Sequence, residues 1–375
     1  MSKAAELAKI GEVATNSQIG GRRNIVINGA MQVAQKATSA TGLGNDNDEG
    51  YPTVDRFKVQ GNAGAGRFTM TQEAVTDLPG FPECIKLDCT TADTSIAAAE
   101  RLFIQTKFEG QDLQGTGTGT ADAKSITVSF YAKASASFKF VLALLNVDND
   151  RYAGSTFDVT SSWQRFIVTF PADTDDGSSP FDNDNADSLN LRFFLHAGSN
   201  YTSGTLSNTF ANAVAANTYD SDADSFYSNT ANNFFLTGVQ MEVGSQATNF
   251  EHRSFGEELA LCQRYLYVQR EDASTGDGFF GTGQCNNTTS LHLGFPHSVP
   301  MRLAHGSTFV FDTVTDYRVQ SAGGLDICSA MGGVSSSPNT SLVFATVGSG
   351  LVAGDGGNLI IAANSPVDIK IDSEL

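Results

Sequence analysis

Charge is scarce in this 375-residue chain: Asp, Glu, Lys and Arg make up 17% of it, below the roughly 25% usual in soluble domains. What charge there is leans acidic, with 41 Asp and Glu against 23 Lys and Arg, and a formal net charge of −18. A surface of that sign is repelled by phosphate backbones, so nucleic acid is not an expected partner. Long apolar runs are missing too. No stretch of about 18 apolar residues occurs and the start of the sequence has no apolar h-region, so neither membrane insertion nor export is expected. The five cysteines (Cys84, Cys89, Cys262, Cys285, Cys328) are odd in number and contain no CxxC. That argues against a disulfide framework or a zinc site, and the thiols are expected to be reduced and mostly buried. The five histidines show no HxxxH spacing. No cofactor is expected.

Gly (37) and the turn formers Ser, Thr, Asn and Asp are abundant, and 26 Phe stand against a single Trp, Trp163. Many turns joining many short strands need this composition, because Gly supplies positive φ and the small polar side chains cap turns. The fold class is mainly β.

Four regions follow from the patterning. Residues 1–21 read as an N-terminal helix and hinge, with Ala4, Leu7, Ile10 and Ala14 at three- and four-residue spacing ahead of Gly20-Gly21. So narrow a stripe is marginal alone. It must bury against the body of the protein or, in an oligomer, against its own copies. Residues 22–253 read as a large jelly-roll or β-sandwich domain, with strands expected at 24–28, 55–59, 67–72, 125–133, 138–145, 163–170, 189–196 and 234–242. Residues 254–268 read as a short linking helix, and 269–375 as a smaller C-terminal β-sandwich domain. Acidic, turn-rich stretches at 44–50, 173–187 and 198–233 interrupt the large domain. The last is long enough to suggest a recognition loop or an element sealed between subunits.

The segment Arg23-Asn24-Ile25-Val26-Ile27-Asn28-Gly29-Ala30-Met31-Gln32-Val33-Ala34-Gln35, followed by Thr53-Val54-Asp55-Arg56-Phe57, resembles the opening of phage tail-fibre and structural proteins. Leu236-Thr237-Gly238-Val239-Gln240-Met241-Glu242-Val243-Gly244 resembles their closing strand. It is followed by Ala247-Thr248-Asn249-Phe250-Glu251-His252-Arg253 and Glu257-Glu258-Leu259-Ala260-Leu261-Cys262-Gln263-Arg264-Tyr265. Order and spacing agree over about 240 residues. Beyond them only Pro300-Met301-Arg302 resembles the same proteins. The resemblance implies a jelly roll similar to carbohydrate-binding modules, carried on a phage particle and assembled in the host cytoplasm. Much of it also has a structural explanation: Asn28-Gly29 would supply a positive-φ turn, and Arg56 and Arg253 would pair with Asp55 and Glu251.

The implied function is that of a virion structural protein, a tail fibre or appendage subunit taking part in host-surface recognition. A homotrimer is expected, contacting other phage tail or capsid proteins and a host cell-surface glycan. The alternative is a capsid-decorating or tail-adaptor protein without receptor binding. An envelope polysaccharide depolymerase would need two carboxylates across a sugar groove, and no such pair stands out. A serine hydrolase would need a nucleophile elbow, and 347–350 offers only VGSG. No enzyme is expected. For sugar binding, aromatic side chains in or near the polar loops are the candidates: Tyr152, Tyr201, Tyr219, Phe226 and Tyr227. For calcium, the oxygen-rich loops offer Asp148, Asp150, Asp182 and Asp184, without the twelve-residue pattern of a dedicated site.

Overall fold

Period-two alternation sorts the side chains of residues 138–146. Phe138, Phe140, Leu142 and Leu144 turn into one apolar core, while Val141, Ala143 and Leu145 turn the other way. The computed structural model describes residues 23–45, 50–62, 64–174, 180–272, 278–303, 308–361 and 366–375. The stripe Ala4, Leu7, Ile10 and Ala14 lies outside them. The protein is mainly β, and its chain divides into two compact units, the first ending at Glu258 and also including Leu375, the second covering Leu259–Glu374.

The first unit is a sandwich of two six-stranded antiparallel sheets. Its strands are β1 (Ser39–Leu43), β2 (Lys58–Asn62), β3 (Arg67–Ala74), β4 (Glu83–Thr91), β5 (Arg101–Glu109), β6 (Ile126–Ala134), β7 (Phe138–Asn146), β8 (Arg151–Val159), β9 (Gln164–Phe170), β10 (Asp187–Ala197), β11 (Ala211–Asn212) and β12 (Asn233–Val243). Sheet A runs β1-β3-β4-β12-β6-β9 and sheet B runs β11-β8-β7-β10-β5-β2. The core between them is rich in Phe: Phe130 meets Phe157 and Phe193 edge-on at 5.1 and 5.0 Å and stacks on Phe166 at 5.1 Å. Such pairs add about 0.5–1.5 kcal/mol each beyond the area they bury.

The second unit has a three-stranded sheet, order β13-β22-β16, and a seven-stranded sheet, order β18-β17-β21-β14-β15-β20-β19. Here β13 is Leu266–Glu271, β14 Phe279–Cys285, β15 Ser290–Pro296, β16 Thr308–Phe311, β17 Tyr317–Ser321, β18 Gly324–Ile327, β19 Ala330–Ser336, β20 Thr340–Thr346, β21 Gly356–Ile361 and β22 Val367–Asp372. Leu291, Leu293, Val343, Leu359 and Ile369 are among its core residues. All five cysteines of the chain are buried and free.

Residues 24–28 form a turn-bearing segment rather than the expected strand. The left-handed residue is Asn28 (φ 59°), not Gly29. Asn28 tolerates this because its buried amide bonds the local backbone, donating to Val33 O and Asp55 O and accepting from Val33 N. Gly29 serves a close approach instead, since a Cβ there would stand 2.1 Å from Val239 O. Arg253 pairs not with Glu251 but with Glu258 at 3.1 Å. That same carboxylate accepts the Asn28 N–H at 2.5 Å. Glu251 instead takes the backbone N–H groups of Arg23 and Asn24. The helix spans Phe255–Gln263, ending before β13 takes up residues assigned to it from the sequence.

The 198–233 excursion is neither an open loop nor disordered chain. Much of it lies over the outer face of sheet B, where a second apolar layer forms from Phe103, Val141, Ala143, Tyr152, Phe194 and Tyr219. Gly154 makes room for it: a Cβ there would stand 2.6 Å from the Leu206 side chain, and its N–H reaches Ser207 O at 2.7 Å. Burying the Phe103 and Phe194 rings stabilises the arrangement by roughly 1.5–3 kcal/mol each.

Candidate functional site

The aromatic residues expected to face a sugar are mostly used elsewhere. Tyr152 and Tyr219 are buried between sheet B and the excursion, with their hydroxyls donating to Thr218 O and Asp224 O, both at 2.6 Å. Phe226 and Tyr227 are in the main core against Phe68. Burial raises the phenol pKa of all three tyrosines, Tyr152, Tyr219 and Tyr227. Tyr201 alone of the five stays half-buried, with the Arg101 guanidinium 5.3 Å from its ring centre. Packing against the sheet wins because an aromatic ring in a polar loop loses more by exposure than by folding back.

The acidic candidates for calcium lie in turns and loops. Asp148 reaches across to the neighbouring acidic loop and accepts the Asp182 N–H at 3.1 Å, while Asp184 caps its own turn by accepting the Ala186 N–H at 2.9 Å. Asp150 sits in the left-handed region with φ 50°. Among the described residues no group of three or more His, Cys, Asp or Glu side chains is placed to hold a metal ion.

What the fold does assemble is a transverse row on the outer face of sheet A. Lys133 of β6 faces Phe235 of β12, which faces Lys86 of β4, which faces Thr71 of β3. Trp163 immediately precedes β9, whose Gln164 pairs with Ala132, so its indole comes alongside Lys133. The Lys133 ammonium lies 4.9 Å from the Trp163 ring centre and 5.0 Å from that of Phe235, and Lys86 lies 5.7 Å from Phe235. Trp163 and Phe235 meet at 6.3 Å and 68°. Cations and rings therefore alternate across four strands, an arrangement in which each ring quadrupole holds a neighbouring charge.

One carboxylate locks the end of the row. Asp77 accepts the Trp163 indole N–H at 2.8 Å and the Lys133 ammonium at 2.7 Å. The Lys133 bond and then the indole bond hold its pKa below the ordinary carboxylate value. Glu73 stands 3.7 Å from Lys86. Glu73, Asp77, Lys133, Trp163 and Phe235 line a depression of about 280 Å³ together with Cys84, whose thiol burial pushes up to about 12. A second hollow of about 420 Å³ under residues 75–82 shares Val75 and Thr76 with it.

Part of that face is covered. Residues 245–253 cross it, with Thr248 N–H and Oγ1 donating to Glu242 and Glu251 N–H donating to Gln240. Phe81, Tyr131, Phe250 and His252 pack where this segment meets the 75–82 loop. The open part of the face thus carries aromatic surface, two ammonium donors and two carboxylate acceptors, the mixed chemistry that binds hydroxyl-rich ligands. None of Lys86, Lys133 or Phe235 is marked by sequence spacing. The one available clue was the chain's only Trp at the head of an alternating strand.

No family model and no curated protein matches the sequence. Among solved structures, the enzymatically active domain of tailspike protein 4 from bacteriophage CBA120 aligns with 59% of this chain at 10% identity and TM-score 0.29. The alignment takes in only 21% of the tailspike chain. A carbohydrate-binding module, CBM4, aligns over 58% of this chain and 97% of its own at 14% identity and TM-score 0.28. The family 11 carbohydrate-binding module of a Clostridium thermocellum cellulosomal cellulase aligns over 57% and 98% at 11% identity and TM-score 0.27.

Proposed function

We propose that this protein is a non-catalytic, glycan-binding subunit of a bacteriophage appendage, and that the Trp163 row on sheet A is its contact surface. The single observation that carries the binding reading is the fixed indole. Trp163 is held by Asp77 and flanked by Lys133 beside an open depression. A ring pre-set in this way offers a flat apolar face at little entropic cost, with donors and acceptors at its rim for sugar hydroxyls. The phage assignment follows the resemblance of 23–35, 53–57 and 236–265. A trimer on the particle would multiply weak single-site contacts into firm attachment.

Binding without cleavage is the reading Asp77 favours. A general acid for glycoside cleavage needs a raised pKa, whereas Lys133 and Trp163 keep Asp77 ionised. It is built to accept hydrogen bonds.

The test is a glycan array on the intact protein, followed by titration of any hit against wild type and Trp163→Ala. Affinity for the hit should fall ten-fold or more in the variant while the melting temperature stays within a few degrees. Tryptophan emission should change on binding, since Trp163 is the only indole. An array without hits, or a hit indifferent to the substitution, would overturn the assignment.

A further inference from the structure

Two arginines on the outer face of sheet B share one buried aromatic ring, without an acid. Arg101 of β5 and Arg192 of β10 alternate with the inward residues Leu102 and Leu191. Both converge on the Phe103 ring, their guanidinium carbons 5.7 and 4.8 Å from its centre. Arg101 is also placed 5.3 Å over Tyr201. The Arg192 Nε donates to Gln105 at 3.0 Å, and Gln105 in turn donates to Gln60 at 3.3 Å. The Arg101 Nε is buried with no hydrogen-bond partner. Among the described residues neither arginine forms an ion pair, and neither places a terminal guanidinium nitrogen in a hydrogen bond. Asp187, whose charge reaches Arg192, is already engaged by Lys107 at 2.7 Å and Asn190 at 2.7 Å.

In a chain with 41 acidic residues for 23 Lys and Arg, an arginine pair left without a carboxylate is conspicuous. The arrangement is also costly. Burial first, and the charge of Arg101 among the lesser causes, pull the Arg192 pKa down to about 10. An anion held against the guanidinium groups would relieve both effects. A guanidinium set over an aromatic ring keeps its N–H edge available, and that edge matches a planar carboxylate with two parallel hydrogen bonds. The amides of Gln60 and Gln105 beside it present the donors and acceptors that sugar hydroxyls use.

We propose that Arg101 and Arg192 form a second binding site, one that takes the carboxylate of an acidic sugar, with Gln60, Gln105 and Tyr201 at its margin. The site shares no residue with the Trp163 row, so either can fail without the other.

The experiment is a titration of the intact protein with glucuronic acid, with glucose as the neutral control and inorganic sulfate as the non-planar anion, followed by backbone amide NMR. Glucuronic acid should bind saturably, shifting amides of β5 and β10, with glucose producing no such shifts and sulfate binding more weakly. Arg101→Gln and Arg192→Gln should each weaken glucuronic acid ten-fold or more, and Trp163→Ala should leave it unchanged. Arg192→Lys, which keeps the charge and the aliphatic stem, should fold as wild type yet also weaken binding, because it loses the planar fork. The assignment is overturned if glucuronic acid fails to bind, if Arg192→Lys binds it as well as wild type does, or if sulfate binds at least as tightly.

Discussion

Arg151 grips Asp173 through two nitrogens at once, Nε to Oδ2 at 2.8 Å and Nη2 to Oδ1 at 2.7 Å, with both side chains nearly sealed from water. The same guanidinium donates to Phe210 O at 3.1 Å, so it also ties the excursion to β8. Removing the charge of Asp173 would leave a buried cation unmatched. Asp173→Asn is expected to cost about 3–5 kcal/mol, as for other broken buried pairs. Urea denaturation measures it; a loss below about 1 kcal/mol would show that water reaches the pair.

Gly238 interrupts β12 with φ +61°, where the register against β6 shifts. A Cβ there would stand 2.8 Å from the Tyr131 ring and 2.9 Å from that of Phe81. Gly238→Ala combines left-handed strain of about 1–2 kcal/mol with overpacking of about 1–3 kcal/mol. A melting point equal to wild type would mean that both rings shift freely, and that the loop over residues 75–82 is less firmly seated than its packing indicates.

Two buried groups give the stability a pH profile with opposing slopes. His196, bonded to Ser225 at 2.8 Å and Glu100 at 3.3 Å, is pulled by burial from 6.5 to about 4. Between those values the unfolded chain binds the extra proton, so this contribution is lost as pH falls. Asp55 is pushed by burial from 3.8 to about 6, so the folded chain holds its proton longer and stability is lost as pH rises through that range. Each is worth about 3 kcal/mol. Relative to wild type, His196→Gln should therefore fare better at pH 4.5 than at pH 7.5, and Asp55→Asn better at pH 7.5 than at pH 4.5. Thermal melts of the three proteins across that interval decide it. Parallel curves would contradict both shifts.

Strands with apolar residues at every second position were legible in the sequence, even where, as in β7, both faces are covered. Residues 138–145 and 163–170 alternate cleanly and lie within a residue of β7 and β9. The strand β5 was not legible, because both of its faces are covered along much of its length and the alternation fades. The strand β8 was missed for a related reason: Gly154 and its small neighbours thin the strand where the excursion packs, which weakens its β pattern. The excursion reads from its length and polarity as a recognition loop or an element sealed between subunits, and Tyr219 and Phe226 anchor it inward. The Trp163 row was out of reach. Lys86, Lys133, Trp163 and Phe235 are neighbours only through antiparallel register, and nothing local in the sequence records which strand lies beside which.

That register also sets a time order on the ribosome. In sheet A, β12 separates β4 from β6, and the row is continuous only once β12 has inserted. A nascent chain that has not yet extruded residue 243 holds Lys86 and Lys133 on strands with an empty lane between them. Pairings this distant in sequence close slowly. Trp163 reaches Lys133 through the β6–β9 pairing, but Phe235 and Lys86 join them only after the lane is filled, so the complete row is among the last features of the first unit to form.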